Sequence, residues 1–167
     1  MKKLFQENLK KMIGKKCWAI AAGPGTGSMA IIDIGDKIKM ASSISNEHLS
    51  ELSKHYEGEF NIHINCCAWR LSKQNTVVCT WNNSQSEIGR LLESLLEKKI
   101  IDIQIDDFYD LNVKFQQGFM LQLFCEQVDY ENYSIKTPKG IFSVEKRNKL
   151  ELCRPKREVK PNDVPRE

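Results

Sequence analysis

The sequence predicts an α+β fold: mainly antiparallel sheet of about nine strands, with an N-terminal helix and one leucine-rich helix packed on the sheet. Three observations predict it. Between residues 101 and 125 apolar and polar residues alternate with period two, the mark of strands with one buried and one wet face. Sustained helical spacing of apolar residues occurs near the N-terminus and after Ser84. The intervals between candidate strands are too short for the crossover helices that parallel strands need.

Residues 3–13 read as a helix with Leu4, Phe5, Leu9, Met12 and Ile13 on one face; lysines at 2, 3, 10 and 11 cover the other, and Gly14 is the stop. Residues 17–22 and 29–34 read as strands either side of a glycine-rich stretch. Gly35-Asp36 signals a turn, and residues 37–40 pair onward. Residues 41–58 form the longest excursion, with a helical turn or two after Asn46. Strands follow at 60–65, 67–71 and 76–81. Ile62, Ile64 and Cys66 share one parity, whereas Trp69 and Leu71 fall on the other, so a bulge or strand break is expected near 66–68. Ser84-Gln85-Ser86-Glu87 is a capping box, in which serine hydroxyl and glutamate each satisfy an orphan backbone N–H. Ile88, Leu91, Leu92, Leu95 and Leu96 then make one apolar stripe, and Lys98 and Lys99 suit the negative end of the helix dipole. Ile101, Ile103 and Ile105, then Leu111, Val113 and Phe115, then Phe119, Leu121, Leu123 and Cys125 are the inward sets of three strands, the last two joined by a turn at Gln117-Gly118. A final hairpin, 133–136 with 141–144, closes through Thr137-Pro138-Lys139-Gly140.

The 167 residues are 41% apolar and 28% charged, which suits one core-bearing domain at 1–152, followed by a charged, proline-containing tail at 153–167. No apolar run approaches the ~18–20 residues of a membrane span, and the N-terminus turns polar too early for a secretory segment. Membrane, secreted and fibrous classes are therefore disfavoured. The six cysteines are expected as reduced, structural thiols in a cytoplasmic protein. A net charge of +3 is too small to argue for nucleic acid, but its distribution is uneven: residues 1–20 carry +5, residues 145–167 carry +3, and residues 21–144 carry −5. The basic ends lack interleaved aromatics, so nucleic acid is not expected as a partner.

Gly23-Pro24-Gly25-Thr26-Gly27-Ser28 tempts a phosphate-binding reading. It lacks the Lys of a Walker loop and the third glycine of a dinucleotide fingerprint, and it precedes a strand instead of a helix, so a hairpin loop is expected. His63 and Cys67 would lie ~13 Å apart along a continuous strand, too far for a nucleophile–base pair. His48, His55 and His63 show no spacing that gathers them on a metal, and no cofactor is expected. The feature that stands out is Asp106-Asp107-Phe108-Tyr109-Asp110, with Asp102 just before it: an acidic surface bearing aromatics, suited to a basic protein. Trp69 is expected in the core with its indole N–H bonded to backbone, and Arg70 in reach of one of these acids.

The succession Cys66-Cys67-Ala68-Trp69-Arg70-Leu71, a leucine-rich helix, then Asp110-Leu111-Asn112-Val113-Lys114-Phe115 and Gly118-Phe119-Met120-Leu121-Gln122-Leu123-Phe124 resembles small uncharacterised bacterial α+β proteins, some of which are immunity proteins of polymorphic toxin systems. The resemblance spans residues 17–144 and implies a stoichiometric binder, not an enzyme. The expected function is a non-catalytic protein-binding module, an immunity protein or accessory subunit. It would occlude a basic partner (a toxin or a larger complex subunit) through Asp102, Asp106, Asp107, Phe108, Tyr109 and Asp110 with Trp69 and Arg70. Two other expectations stand beside it: a subunit of a bacterial defence or nucleic-acid-handling complex, and a metal-dependent enzyme acting on a phosphorylated substrate.

Overall fold

The computed structural model describes residues 1–27 and 29–154. The alternating segments become eleven strands in two antiparallel sheets, two more strands than the sequence predicts, within the expected α+β class. The first sheet runs, edge to edge, β1 (Cys17–Ala21), β2 (Ala30–Lys39), β3 (Tyr56–Ile64), β9 (Tyr133–Thr137), β10 (Gly140–Glu145) and β11 (Lys149–Cys153). The second runs β5 (Thr76–Thr80), β4 (Ala68–Lys73), β8 (Phe119–Phe124), β7 (Leu111–Phe115) and β6 (Ile100–Ile105). Their inward parities meet in one buried cluster: Ile32, Phe60, Ile62 and Phe142 from the first sheet, Trp69, Leu71, Val113 and Leu121 from the second.

Three short helices complete the described chain: α1 (Lys2–Lys10), α2 (Glu51–His55) and α3 (Gln85–Leu92). α1 drives Phe5 onto Phe142, ring centroids 5.0 Å apart, and buries Leu9 and Met12; it stops earlier than expected, which leaves Ile13 exposed. α3 has the capping box: Ser84 Oγ accepts the Glu87 N–H, and Glu87 accepts the Ser84 N–H at 3.1 Å. Its apolar stripe continues through a 3-10 turn, so that Ile88, Leu92 and Leu95 are buried.

Three expectations about the strands change, and a fourth, the bulge or break near 66–68, is resolved. The turn expected at Gly35-Asp36 is a bulge inside one continuous β2: Ile34 pairs with Phe60 and Lys37 with Gly58, and Gly35 takes a left-handed φ of 83°. Ile101 does not face the core. It is the extra residue between the Ile100–Phe115 and Asp102–Lys114 pairs, and it is 54% exposed while Ile100 is buried. The cause is the sheet junction, where Ile100 donates to Lys15 O and accepts from Gly14 N–H, fixing it inward. β11 was not expected; it pairs with β10 through a turn at Arg147 and Asn148, both left-handed, and places Cys153 in a strand. Residues 155–167 of the expected tail lie outside the described residues. Finally, the parity change at 66–68 is a strand break, and its reason is topological. Residues 65–67 carry the chain from the first sheet to the second, leaving Cys66 exposed and Cys67 buried. No helix among the described residues is long and apolar enough to cross a membrane.

Candidate functional site

The acidic segment forms the β6–β7 connection, and its carboxylates have internal roles. Asp106 Oδ1 accepts the N–H groups of Phe108 (2.8 Å) and Asp110 (2.9 Å), which shapes a tight loop with Tyr109 at φ 65°. Asp110 reaches out of the loop to accept the Cys125 N–H at 2.7 Å. Asp107 pairs with Lys2 at 2.5 Å, and this bond holds the Asp107 carboxyl below its ordinary range and the Lys2 ammonium above its own. Asp102 accepts from Gln104 and lies 3.6 Å from Lys114. Tyr109 is half-buried and its carbonyl accepts the Tyr133 hydroxyl at 2.8 Å; Phe108 alone in this loop presents a large apolar side chain, 69% exposed.

Trp69 and Arg70 separate onto opposite faces of β4, as adjacent strand residues must. Arg70 donates to Gln122 Oε1 from Nε (3.1 Å) and Nη2 (2.7 Å) and lies over the Phe124 ring. Its expected pairing with an acid is replaced by this amide, because Gln122 stands directly opposite it in the β4–β8 register. Gln122 in turn donates to Asn112, so the outer face of the second sheet carries a bonded polar row. Trp69 is 3% exposed and belongs to the core, as expected. The eight residues singled out from the sequence therefore do not form one surface.

Trp69 instead lines an open groove of about 370 Å³. One wall comes from the β1–β2 loop with Gly27 and Met29. A second comes from the β5–α3 connection and the start of α3, with Trp81, Gln85 and Ile88. A third comes from the 126–132 loop, with Gln127 and Tyr130; Asn65, Cys66 and Cys67 meet it at the sheet crossing. Trp81 is 56% and Tyr130 64% exposed. The described lining residues carry amides, aromatic rings, thioether and thiols, and none carries a carboxylate, ammonium, guanidinium or imidazole group. The loop supplying Gln127 and Tyr130 also bears Glu126, Asp129 and Glu131, and Glu131 accepts from the Asn65 side chain.

Two residues that sequence reasoning passed over hold this groove. Asn132, fully buried, accepts at its carbonyl from the N–H groups of Asn65, Cys66 and Cys67 (3.1, 3.3 and 3.4 Å). Its side chain accepts the Gln127 N–H and donates to Glu145 O. It thereby ties the sheet crossing to the 126–132 loop. Gly89 lets α3 approach the β1–β2 loop: a Cβ there would lie 3.1 Å from Ala22 O, and a Cβ on Gly23 only 3.0 Å from Gln85 O. That loop joins two antiparallel strands, as the hairpin reading requires. At Gly25 the His48 ring occupies the space a Cβ would need, 2.1 Å from it.

Burial pushes the Cys67 thiol up to about 12, so it is protonated at neutral pH. His63 faces outward from β3 in the other sheet, and its pKa is lowered by burial. Among the described residues no three His, Cys, Asp or Glu side chains converge as metal ligands would. No protein-family model matches the chain, and no curated protein or solved structure matches it either.

Proposed function

We propose that this protein is a non-catalytic binding module, of the immunity-protein or accessory-subunit kind, which covers the functional surface of a basic partner protein. The observation that carries the reading is the groove: Trp81, Tyr130 and Met29 stand exposed around the amides of Asn65, Gln85 and Gln127. Aromatic side chains in an open groove release ordered water when a partner covers them, at roughly 25 cal/mol per Å² of apolar area. Trp and Tyr also dominate the energetics of protein interfaces, while amides can bond a partner's backbone.

Charge supports the basic character of the partner. Glu126, Asp129 and Glu131 flank the groove on its own loop. The 106–110 loop lies at the same end of the second sheet, since Asp110 bonds Cys125 just beyond β8. Carboxylates around an aromatic patch speed encounter with a basic surface and select against acidic ones.

The test uses the full chain, affinity-tagged in its own cells, with quantitative mass spectrometry of what co-purifies. Trp81→Ala with Tyr130→Ala is expected to lower recovery of a basic partner about 30-fold, the scale of an interface hot spot. Asp107→Lys with Asp129→Lys, both outside the hydrogen bonds that shape the loops, is expected to weaken recovery most at low salt. Recovery unchanged by both pairs of substitutions would overturn the proposal.

A further inference from the structure

Cys67 and Cys125 are 58 positions apart, yet the topology brings them together. β4 and β8 pair antiparallel through Ala68–Phe124 and Trp69–Leu123. Cys67 and Cys125 flank the last pair of that ladder, Ala68–Phe124, on the parity of the buried Trp69 and Leu123. Both strands end here, and the backbone groups of the two cysteines turn to other partners: Cys67 N–H goes to Asn132 O, and Cys125 N–H goes to the Asp110 carboxylate. Neighbouring antiparallel strands run ~4.5–5.5 Å apart, within the Cα range a disulfide spans. The Cys125 thiol donates to Tyr109 O at 3.2 Å, the same carbonyl that accepts the Tyr133 hydroxyl at 2.8 Å, so its sulfur lies beside the buried Tyr133.

We propose that Cys67 and Cys125 are an oxidation site at which a peroxide joins the two strand ends in a disulfide. Access comes from two sides: Cys67 lines the groove, and Cys125 is half-buried. In the first step the Cys125 sulfur attacks a peroxide oxygen. The O–O bond breaks, leaving a sulfenic acid and releasing one water when hydrogen peroxide is the oxidant. In the second step the Cys67 sulfur attacks the sulfenic sulfur. The S–S bond forms, the S–O bond breaks, and the hydroxyl leaves with the Cys67 proton as a second water. The two sulfurs together lose two electrons and the peroxide gains them. Because burial raises both thiol pKa values, the reaction is slow at neutral pH compared with that of an exposed thiolate. The disulfide would lock the groove's floor to β8.

The experiment treats the folded full chain with hydrogen peroxide, blocks remaining thiols in acid, and maps tryptic peptides. The expected product links peptide 55–70 to peptide 115–136, with fragment ions placing the bridge at Cys67. It should persist in Cys66→Ser, which alters only the exposed neighbour, and vanish in Cys125→Ala. Two results would overturn the proposal: these peptides remaining unlinked at saturating peroxide, or a bridge that runs through Cys66.

Discussion

Asp33 is a carboxylate placed where water scarcely reaches, 6% exposed on β2, with its Oδ1 accepting the Gly58 N–H at 2.8 Å. Burial pushes its pKa from 3.8 up to about 6; the Gly58 bond opposes that, the nearby Glu57 adds to it, and Lys136 opposes it. Between about pH 4 and 6 the folded chain therefore holds a proton the unfolded chain has released. Stability falls as pH rises through that window, by about 3 kcal/mol at 1.36 kcal/mol per unit. Asp33→Asn keeps an acceptor for Gly58 and removes the charge. It should raise stability at pH 7 by about 2 kcal/mol, with the gain fading below pH 4. His63 acts in the opposite direction, since its depressed pKa takes stability away as pH falls below 6.5, but it is common to both proteins and cancels in the difference. Urea unfolding at pH 4, 5.5 and 7 measures this. A gain that is the same at all three would show that charge burial is not the cause.

Among the elements, α3 is the one whose start and apolar face were readable, because their determinants lie within a few residues of one another; its end was not, since Lys98 and Lys99, expected to close it, lie beyond the 3-10 turn that stops at Leu95. Ser84 and Glu87 are three apart, and the stripe from Ile88 to Leu95 follows helical spacing. Ser84→Ala should lower stability by about 1 kcal/mol, read from the midpoint of chemical unfolding at unchanged slope. A loss below a few tenths would mean that Asn83 or Ser86 replaces the cap. The bulges at Gly35 and Ile101 were not readable in the same way. A bulge is a mismatch between two strands, and the outward turn of Ile101 follows from the bonds that Ile100 makes to Gly14 and Lys15, some 85 residues away. β11 escaped notice because Lys149, Glu151 and Cys153 alternate with only two leucines, too weak a pattern beside charged neighbours.

At the scale of the molecule, two sheets share a single core that α1 closes between β6 and β10. Phe5 is fully buried against Phe142, and Leu9 borders Ile103. Phe5→Ala should cost about 3–5 kcal/mol, a large share of the 5–15 kcal/mol that holds a domain together. Thermal and urea unfolding would show it; a loss under 1 kcal/mol would mean that α1 is an ornament on a core already sealed. The candidate site belongs to this scale too. Asp106, Asp107 and Asp110 were conspicuous in the sequence as charge, but their use in loop shaping, pairing with Lys2 and bonding to Cys125 follows from contacts 2 to 105 residues distant.

What the sequence determined by itself was whatever depends on neighbours along the chain. The α+β class with antiparallel pairing, the capped leucine helix, the hairpin nature of the glycine stretch and the break between Ile64 and Trp69 all follow from local spacing and parity. What only the tertiary structure decided was which parts meet. Exposure of Trp81 and Tyr130, the tie made by Asn132, and the facing of Cys67 and Cys125 require the chain to leave one sheet and enter another. Periodicity says that a residue faces inward or outward; it carries no information on which strand, loop or thiol waits there, because that is fixed by contacts between segments far apart in the chain.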